Sequence, residues 1–246
     1  MKDTVLFDLD ETLLDRADSL QDFVTWQARG MLRNSIENTR EFCNRFVELD
    51  SNGAVWKDQV YLQLVQEFKI TDWSVSELLM SYELCFSGFC KFIPNAEAAL
   101  ESLHQKGYKL GLVSNGKSPF QERNFNALGV SHLFGTVVVS EAVGFRKPEP
   151  EIFKLACTAL DTSPENVVFV GDNPKADFAG ANNLGMYSVY IPRHYGQECK
   201  EANVVCADYT RLISIVEKPL NKSLHSTIYK LGVLWSRCRS TLPQYA

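Results

Sequence analysis

No stretch of the sequence approaches the roughly 18 apolar residues that a membrane-spanning helix needs, and Met1-Lys2-Asp3 leads into a short apolar segment without the h-region and cleavage site of a signal peptide. There is no C-x-x-C pair. The seven cysteines, at positions 43, 85, 90, 157, 199, 206 and 238, are odd in number and scattered, which argues against a disulfide framework or a zinc knuckle. A basic excess is also missing. With 25 Lys and Arg against 30 Asp and Glu, the chain carries a net charge of −5 and has nothing to hold a nucleic-acid backbone in bulk. These absences predict a cytoplasmic protein with reduced thiols, no transmembrane segment and no bulk nucleic-acid partner.

What is present is ordinary globular material, 45% hydrophobic and 22% charged, and 246 residues suffice for one substantial core with a smaller insert. The charge is uneven. Five of the basic residues, Lys218, Lys222, Lys230, Arg237 and Arg239, fall after residue 217 with no Asp or Glu among them, which leaves 20 basic against 30 acidic residues before that point.

The segment Val5-Leu6-Phe7-Asp8-Leu9-Asp10-Glu11-Thr12-Leu13-Leu14 stands out. It starts as the continuous apolar run of a strand buried on both faces and ends in two carboxylates one residue apart. Charge so near a core is costly unless neutralised, and a divalent cation held by oxygen ligands is the most economical partner. Asp8 and Asp10 are therefore candidate site residues.

From Arg16 to Phe92 the apolar residues recur at three and four, as at Phe23, Trp26, Phe42, Phe46, Val60, Tyr61, Leu64, Val65 and Phe68, with breaks at Asn34-Ser35, Asp50 to Gly53 and Thr71-Asp72. Four helices forming a small bundle are predicted, the last starting near Val75 behind a Ser74/Glu77 capping box. The aromatics Trp26, Trp56, Trp73 and Phe86 read as bundle core. After Pro94 helices alternate with short apolar strands: helix 95–106, strand 109–113, helix 119–128, strand 136–139, helix 149–159, strand 167–170, helix 175–184 and strand 186–191. A weaker strand at 203–205 and a helix at 209–217 follow. This is the pattern of an α/β doubly wound parallel sheet covered on both faces, in which ligands collect beyond the carboxyl ends of the strands.

Three of those ends are polar: Asp8 to Thr12, Ser114-Asn115-Gly116, and Gly171-Asp172-Asn173-Pro174 followed by Asp177. Lys147 stands just before the helix at 149. Singly, each residue reads as a turn, a cap or a solvated lysine; together they match one task. In this order they resemble the four motifs of the haloacid dehalogenase (HAD) superfamily: D-x-D-x-T, a strand-terminal Ser or Thr, a Lys before a helix, and G-D-x(3–4)-D. The resemblance implies a Rossmann-like HAD core and a Mg²⁺-dependent phosphatase acting through an aspartyl-phosphate. Asp8 would be the nucleophile and Asp10 the general acid/base. Mg²⁺ would be held by Asp8, Asp172 and the carbonyl of Asp10, and the phosphoryl group by Ser114, Asn115 and Lys147. Asp177 would orient Lys147 or a metal-bound water, Thr12 would bind locally in its turn, and Glu11 would face solvent.

The helical insert falls between Asp8 and Ser114, 106 residues apart, whereas Ser114 and Lys147 are only 33 apart. By the same resemblance this is a C1 helical cap, with 1–15 and 93–217 as core and 16–92 as cap, hinged near 14–19 and 87–92. Such a cap implies a small phosphomonoester as partner, a nucleoside monophosphate or a sugar phosphate. The run Phe7 to Asp15 looks like that of bacterial nucleoside monophosphatases. A haloacid dehalogenase, a phosphomutase and a non-catalytic phosphate-binding module are the alternatives, and the retained Asp8, Asp10 and Asp172 speak against the first and last of them. Residues 218–246 read as a basic, poorly ordered extension without a place in the core.

Overall fold

Five strands of the sheet are spelled by apolar, mainly β-branched or aromatic residues: β1 (Thr4–Phe7), β2 (Lys109–Ser114), β3 (Phe134–Val139), β4 (Val167–Gly171) and β5 (Tyr187–Tyr190). With the two-residue β6 (Val204–Val205) they pair throughout in parallel, in the order β3-β2-β1-β4-β5-β6. The computed structural model describes residues 2–193 and 198–218, and Lys2–Val216 forms one compact unit. The predicted extension falls, from residue 219 on, outside the described residues.

Alternate residues of the strands serve opposite faces, as a pleated strand requires. Val5, Phe7, Leu110, Leu112, Val168 and Val170 join one apolar cluster with α5 (Ala96–Gln105), Phe125 of α6 (Phe120–Ala127) and α10 (Leu212–Val216). Leu6, Val113, Val167 and Phe169 join the other with α8 (Pro150–Ala159), through Ile152, Phe153, Ala156 and Cys157, and with Phe178 and Ala181. These side chains are essentially fully buried, and each large one contributes about 1.5–3 kcal/mol.

Four helices lie between β1 and α5: α1 (Arg16–Arg29), α2 (Thr39–Asp50), α3 (Lys57–Glu67) and α4 (Val75–Cys85). Asp15, Asn38 and Ser74 cap α1, α2 and α4, the last through the capping box expected from Ser74 and Glu77. Phe23, Phe42, Phe46, Val60, Tyr61 and Leu64 fill their interior as expected. Two tryptophans do not: Trp26 is 42% and Trp56 64% exposed. The ring of Trp26 lies against Phe89 at the surface, and Trp56 precedes α3 with Lys117 5.3 Å from its ring centroid. Trp73 packs partly against the cluster and Phe86 is buried. The chain enters and leaves this insert side by side, with Leu14 bridged antiparallel to Phe92 and hydrogen bonds from Asp15 N to Lys91 O and Ile93 N to Leu13 O, both 2.9 Å.

Two elements depart from the sequence pattern. β3 begins two residues early, because Phe134 pairs with Leu110 across an irregularity in the register. The predicted helix over 175–184 is a wide π-helical turn, Pro174–Phe178, followed by the short α9 (Ala179–Asn183). Asn173 accepts the amides of Lys175 and Ala176 there, and the wide turn brings the Asp177 carboxylate back onto the Asn173 N–H at 2.8 Å.

Candidate active site

The order of the strands decides where the polar residues meet. The chain runs outward from β1 to β2 and β3, then returns to β4 on the far side of β1, so a crevice opens beyond the carboxyl ends of β1 and β4. Phe7 is in register with both Leu112 and Val170, and Asp8 N donates to Val170 O at 2.9 Å. Asp8 and Asp172 thus leave adjacent strands at nearly the same level. Ser114 ends β2 beside them.

Lys147 ties the group together. Its side chain is 2% exposed, and Nζ lies 2.6 Å from Asp8 Oδ1 and 2.8 Å from Asp177 Oδ1. Its backbone is held by Asn115, whose Oδ1 accepts the Lys147 N–H at 2.8 Å and whose Nδ2 donates to the Lys147 carbonyl at 3.0 Å. The Asn115 side chain therefore carries a job that the sequence did not suggest for it, fixing the lysine loop to the end of β2. Burial works against the Lys147 charge, but Asp177 and Asp8 outweigh it and the ammonium holds its proton more tightly than usual. Asp177 is wholly buried, with one oxygen on Lys147 and the other on the Asn173 amide.

Gly171 makes this approach possible. A Cβ at that position would meet the Asp177 side chain, with Cγ at 2.6 Å, so the glycine of the G-D pair clears the space into which Asp177 folds back.

Oxygens of Asp8, Asp172 and Asp177 all lie within 4.8 Å of one another. Burial, reinforced by Asp8 and Asp177, pushes Asp172 up to about 9. Burial likewise pushes Asp177 up to about 6, against the pull of Lys147. Three buried carboxylates around a single ammonium hold more negative charge than the protein neutralises, and the donors are all hard oxygens. That set fits Mg²⁺ better than a thiolate- or imidazole-loving ion.

Asp10 is set apart from the carboxylate cluster. It is half-buried, its Oδ2 accepts a hydrogen bond from Gln121 Nε2 at 2.7 Å, and burial raises its pKa against the opposing influence of Arg16 and of that bond. Its carboxylate is not among the oxygens that gather within 4.8 Å of one another. Thr12 lies in the turn, but its side chain makes no local bond there: its buried hydroxyl has no partner among the described residues, and its carbonyl accepts the hydroxyl of the distant Tyr209 at 2.6 Å. Glu11 does not face solvent. It is 6% exposed and sits at a φ of 56°, with Oε1 on the amide of Ala17 and Oε2 3.2 Å from Arg193 Nε. Arg193 also reaches Asp15 at 2.8 Å, so Glu11 and Asp15 fasten the first turn of α1 to the residue that follows the β5 region.

Several residues of the site carry no sequence signal. On the side of the inserted helices, Asp50 accepts two hydrogen bonds from Arg16, at 3.0 and 2.8 Å, and one from Gly53 N at 2.8 Å, and it contacts the Lys57 ammonium. Arg16, Lys57 and Tyr82 are all within electrostatic reach of Asp10. Gln121 is 3% exposed and spans Asp10 and Ser114. Only distance in the fold, not spacing in the chain, brings these groups together.

Comparison with known proteins identifies the family. The family profile for haloacid dehalogenase-like hydrolases matches residues 5–191. A glyceraldehyde 3-phosphate phosphatase of Methanopyrus kandleri is 31% identical over 208 residues, covering 81% of this chain and 88% of its own. Among solved structures, an HAD phosphatase from Thermococcus onnurineus is 27% identical with a TM-score of 0.63, covering 88% of this chain and 98% of its own. The HAD-hydrolase YfnB of Bacillus subtilis, solved bound to magnesium, shares the fold with a TM-score of 0.71 at 21% identity, over 88% of this chain and 99% of its own. The chain belongs to the haloacid dehalogenase-like hydrolases and stands among that family's phosphatases.

Proposed function

We propose that the protein is a Mg²⁺-dependent phosphatase of small phosphomonoesters that works through an aspartyl-phosphate on Asp8. The observation that carries the reading is the meeting of Asp8, Lys147, Ser114 and Asp172 in one crevice, with Asp10 just beyond the carboxylate cluster. Asp8 attacks phosphorus as the ester oxygen leaves, and Asp10 donates a proton to that oxygen. In the second half Asp10 takes a proton from water, which attacks the aspartyl-phosphate and frees Asp8 and inorganic phosphate. The raised proton affinity of Asp10 supports the donor role. Lys147 and the Ser114 hydroxyl hold the equatorial oxygens, where the negative charge remains throughout. Asp177 and Asn115 position Lys147 from two sides. Asp8, Asp172 and the Asp10 carbonyl would hold Mg²⁺, which supplies charge neutralisation for an anionic nucleophile meeting an anionic ester.

Residues 16–92 act as a cap over the crevice. Supporting this, Lys117 and Arg123 reach Glu83 of α4, and Phe120 stacks on Phe86 at 5.7 Å, so the loop and helix after Ser114 meet the inserted helices directly. Arg16 and Lys57 pair with Asp50, and with Asp10 carrying the proton of its acid role the leaving-group side keeps a positive character suited to a polar or anionic alcohol. A short-chain sugar phosphate, as the name of the Methanopyrus relative suggests, fits this better than a nucleoside monophosphate. Phosphate release from a panel of both ester classes, with Mg²⁺ and with EDTA, tests the reading. Release is expected only with Mg²⁺ and is expected to vanish in Asp8→Asn; turnover that survives either treatment refutes the mechanism. Product analysis separates hydrolysis from phosphoryl transfer to a second hydroxyl.

A further inference from the structure

Gln121 lies on the first turn of α6 and is almost fully buried, yet its amide is aimed at the site. Nε2 is 2.7 Å from Asp10 Oδ2 and 3.0 Å from Ser114 Oγ. Oε1 faces the Asn124 Nδ2 at 3.4 Å. Gly116 leaves the room for this side chain, since a Cβ there would stand 2.6 Å from Gln121 Cγ. A primary amide nitrogen has two protons and accepts nothing. Both protons are therefore committed, one to Asp10 and one to Ser114, and this fixes the direction of two other hydrogen bonds.

We infer that Gln121 is a positioning residue that aims two catalytic protons at once. Because Ser114 Oγ accepts from Gln121, its own O–H proton must point away from Gln121 and is left to donate to a phosphoryl oxygen. Because Asp10 Oδ2 accepts from Gln121, a proton carried by Asp10 is favoured on Oδ1, the oxygen that Gln121 does not hold, and that oxygen is the one that would meet the leaving group. The inference rests on the acid role proposed for Asp10. It adds a residue that acts through Asp10 and Ser114 and that no motif at the strand ends contains.

The test compares an alkyl phosphate, whose alkoxide needs protonation on leaving, with p-nitrophenyl phosphate, whose phenolate does not. The quantity read is kcat/KM, which reports the steps up to loss of the leaving group. Gln121→Met keeps the bulk and removes both N–H groups. Gln121→Glu keeps the shape and, being acceptor-only when ionised, draws the Ser114 proton away from phosphate. Both variants are expected to lower kcat/KM for the alkyl ester about tenfold more than for p-nitrophenyl phosphate, a fraction of what a general acid contributes. Gln121→Glu is expected to raise KM for both esters as well. Asp10→Asn is expected to show at least the same shift in ratio. An unchanged ratio in both Gln121 variants, with the Asp10→Asn shift intact, overturns the inference and leaves the mechanism standing. An unchanged ratio in Asp10→Asn overturns the acid assignment and the inference with it. Should Gln121→Met melt early, Gln121→Leu, which also removes both N–H groups without adding a charge, decides in its place.

Discussion

Removing divalent cations should make the stability of this protein fall with rising pH, and Asp172 sets the size of the effect. In the metal-free fold its carboxyl is pushed up to about 9 by burial and by Asp8 and Asp177. In the unfolded chain it ionises near the ordinary value of 3.8. A carboxyl held above its ordinary value favours the fold fully below that value and loses the contribution as pH climbs toward the folded one, because the folded state binds a proton that the unfolded state has released. Each unit is about 1.4 kcal/mol, so at pH 7 the upper bound on the cost is about 4 kcal/mol, and Asp177, pushed up to about 6, adds a smaller amount in the same direction. Relaxation of the site reduces the sum, and about 2–3 kcal/mol between pH 5 and pH 8 is a reasonable expectation. Mg²⁺ favours the ionised acids, so its stabilising effect should grow over the same window. Urea unfolding at pH 5, 6.5 and 8, with EDTA or with saturating Mg²⁺, measures both. Asp172→Asn in EDTA should be more stable than the unaltered chain at pH 8 and nearly equal to it at pH 4. A Mg²⁺ stabilisation that is as large at pH 5 as at pH 8, or an Asp172→Asn variant that gains nothing at pH 8, refutes the reasoning.

Other perturbations follow from single contacts. Asp50→Ala strands the Arg16 and Lys57 cations in the interior, and a loss of about 3–5 kcal/mol in chemical denaturation is expected, with Asp50→Asn milder because it retains an acceptor for Gly53 N and Arg16. Gly171→Ala drives a methyl into the Asp177 carboxylate; the expected result is about 1–3 kcal/mol of lost stability together with a fall in kcat, since Asp177 releases its hold on Lys147. Lys117→Ala should shift the emission of Trp56, whose ring the ammonium faces, while melting temperature changes by only a degree or two, as for an exposed pair.

Much of the sheet was legible because parallel strands buried on both faces have few polar residues to spare, so Asp8 after Phe7, Ser114 after Val113 and Asp172 after Gly171 mark the strand ends. The α-helical insert was legible for the same kind of reason, in the three-and-four spacing of Phe42 and Phe46 and of Val60, Leu64 and Phe68. Trp26 and Trp56 were misread because periodicity assigns a side chain to a face and cannot say whether another element covers that face. Glu11 was misread because its neighbours Ala17 and Arg193 come from two different parts of the chain, and a left-handed residue in a turn gives no hint that its side chain will point inward. Long-range polar pairing of this kind, and the Asp10–Gln121–Ser114 bridge with it, lies beyond any pattern of spacing.

The site also explains why the first strand stops where it does. Had β1 continued through Leu9 and Asp10, the alternation of the pleat would have sent Asp8 and Asp10 to the same face at a separation of two residues, about 6–7 Å along the strand. Instead the strand ends at Phe7, Leu13 N and Leu14 N both close on Leu9 O at 2.9 Å, and Glu11 adopts a positive φ. The turn separates the two acids by environment. Asp8 remains with Lys147 among the buried carboxylates, and Asp10 swings toward Gln121 and Arg16. An anionic nucleophile needs a cation beside it, whereas a proton donor must keep its proton at neutral pH, and two acids one residue apart on a straight strand would share a single environment. Under the roles proposed for Asp8 and Asp10, the bend between them is what would allow one short segment to hold both.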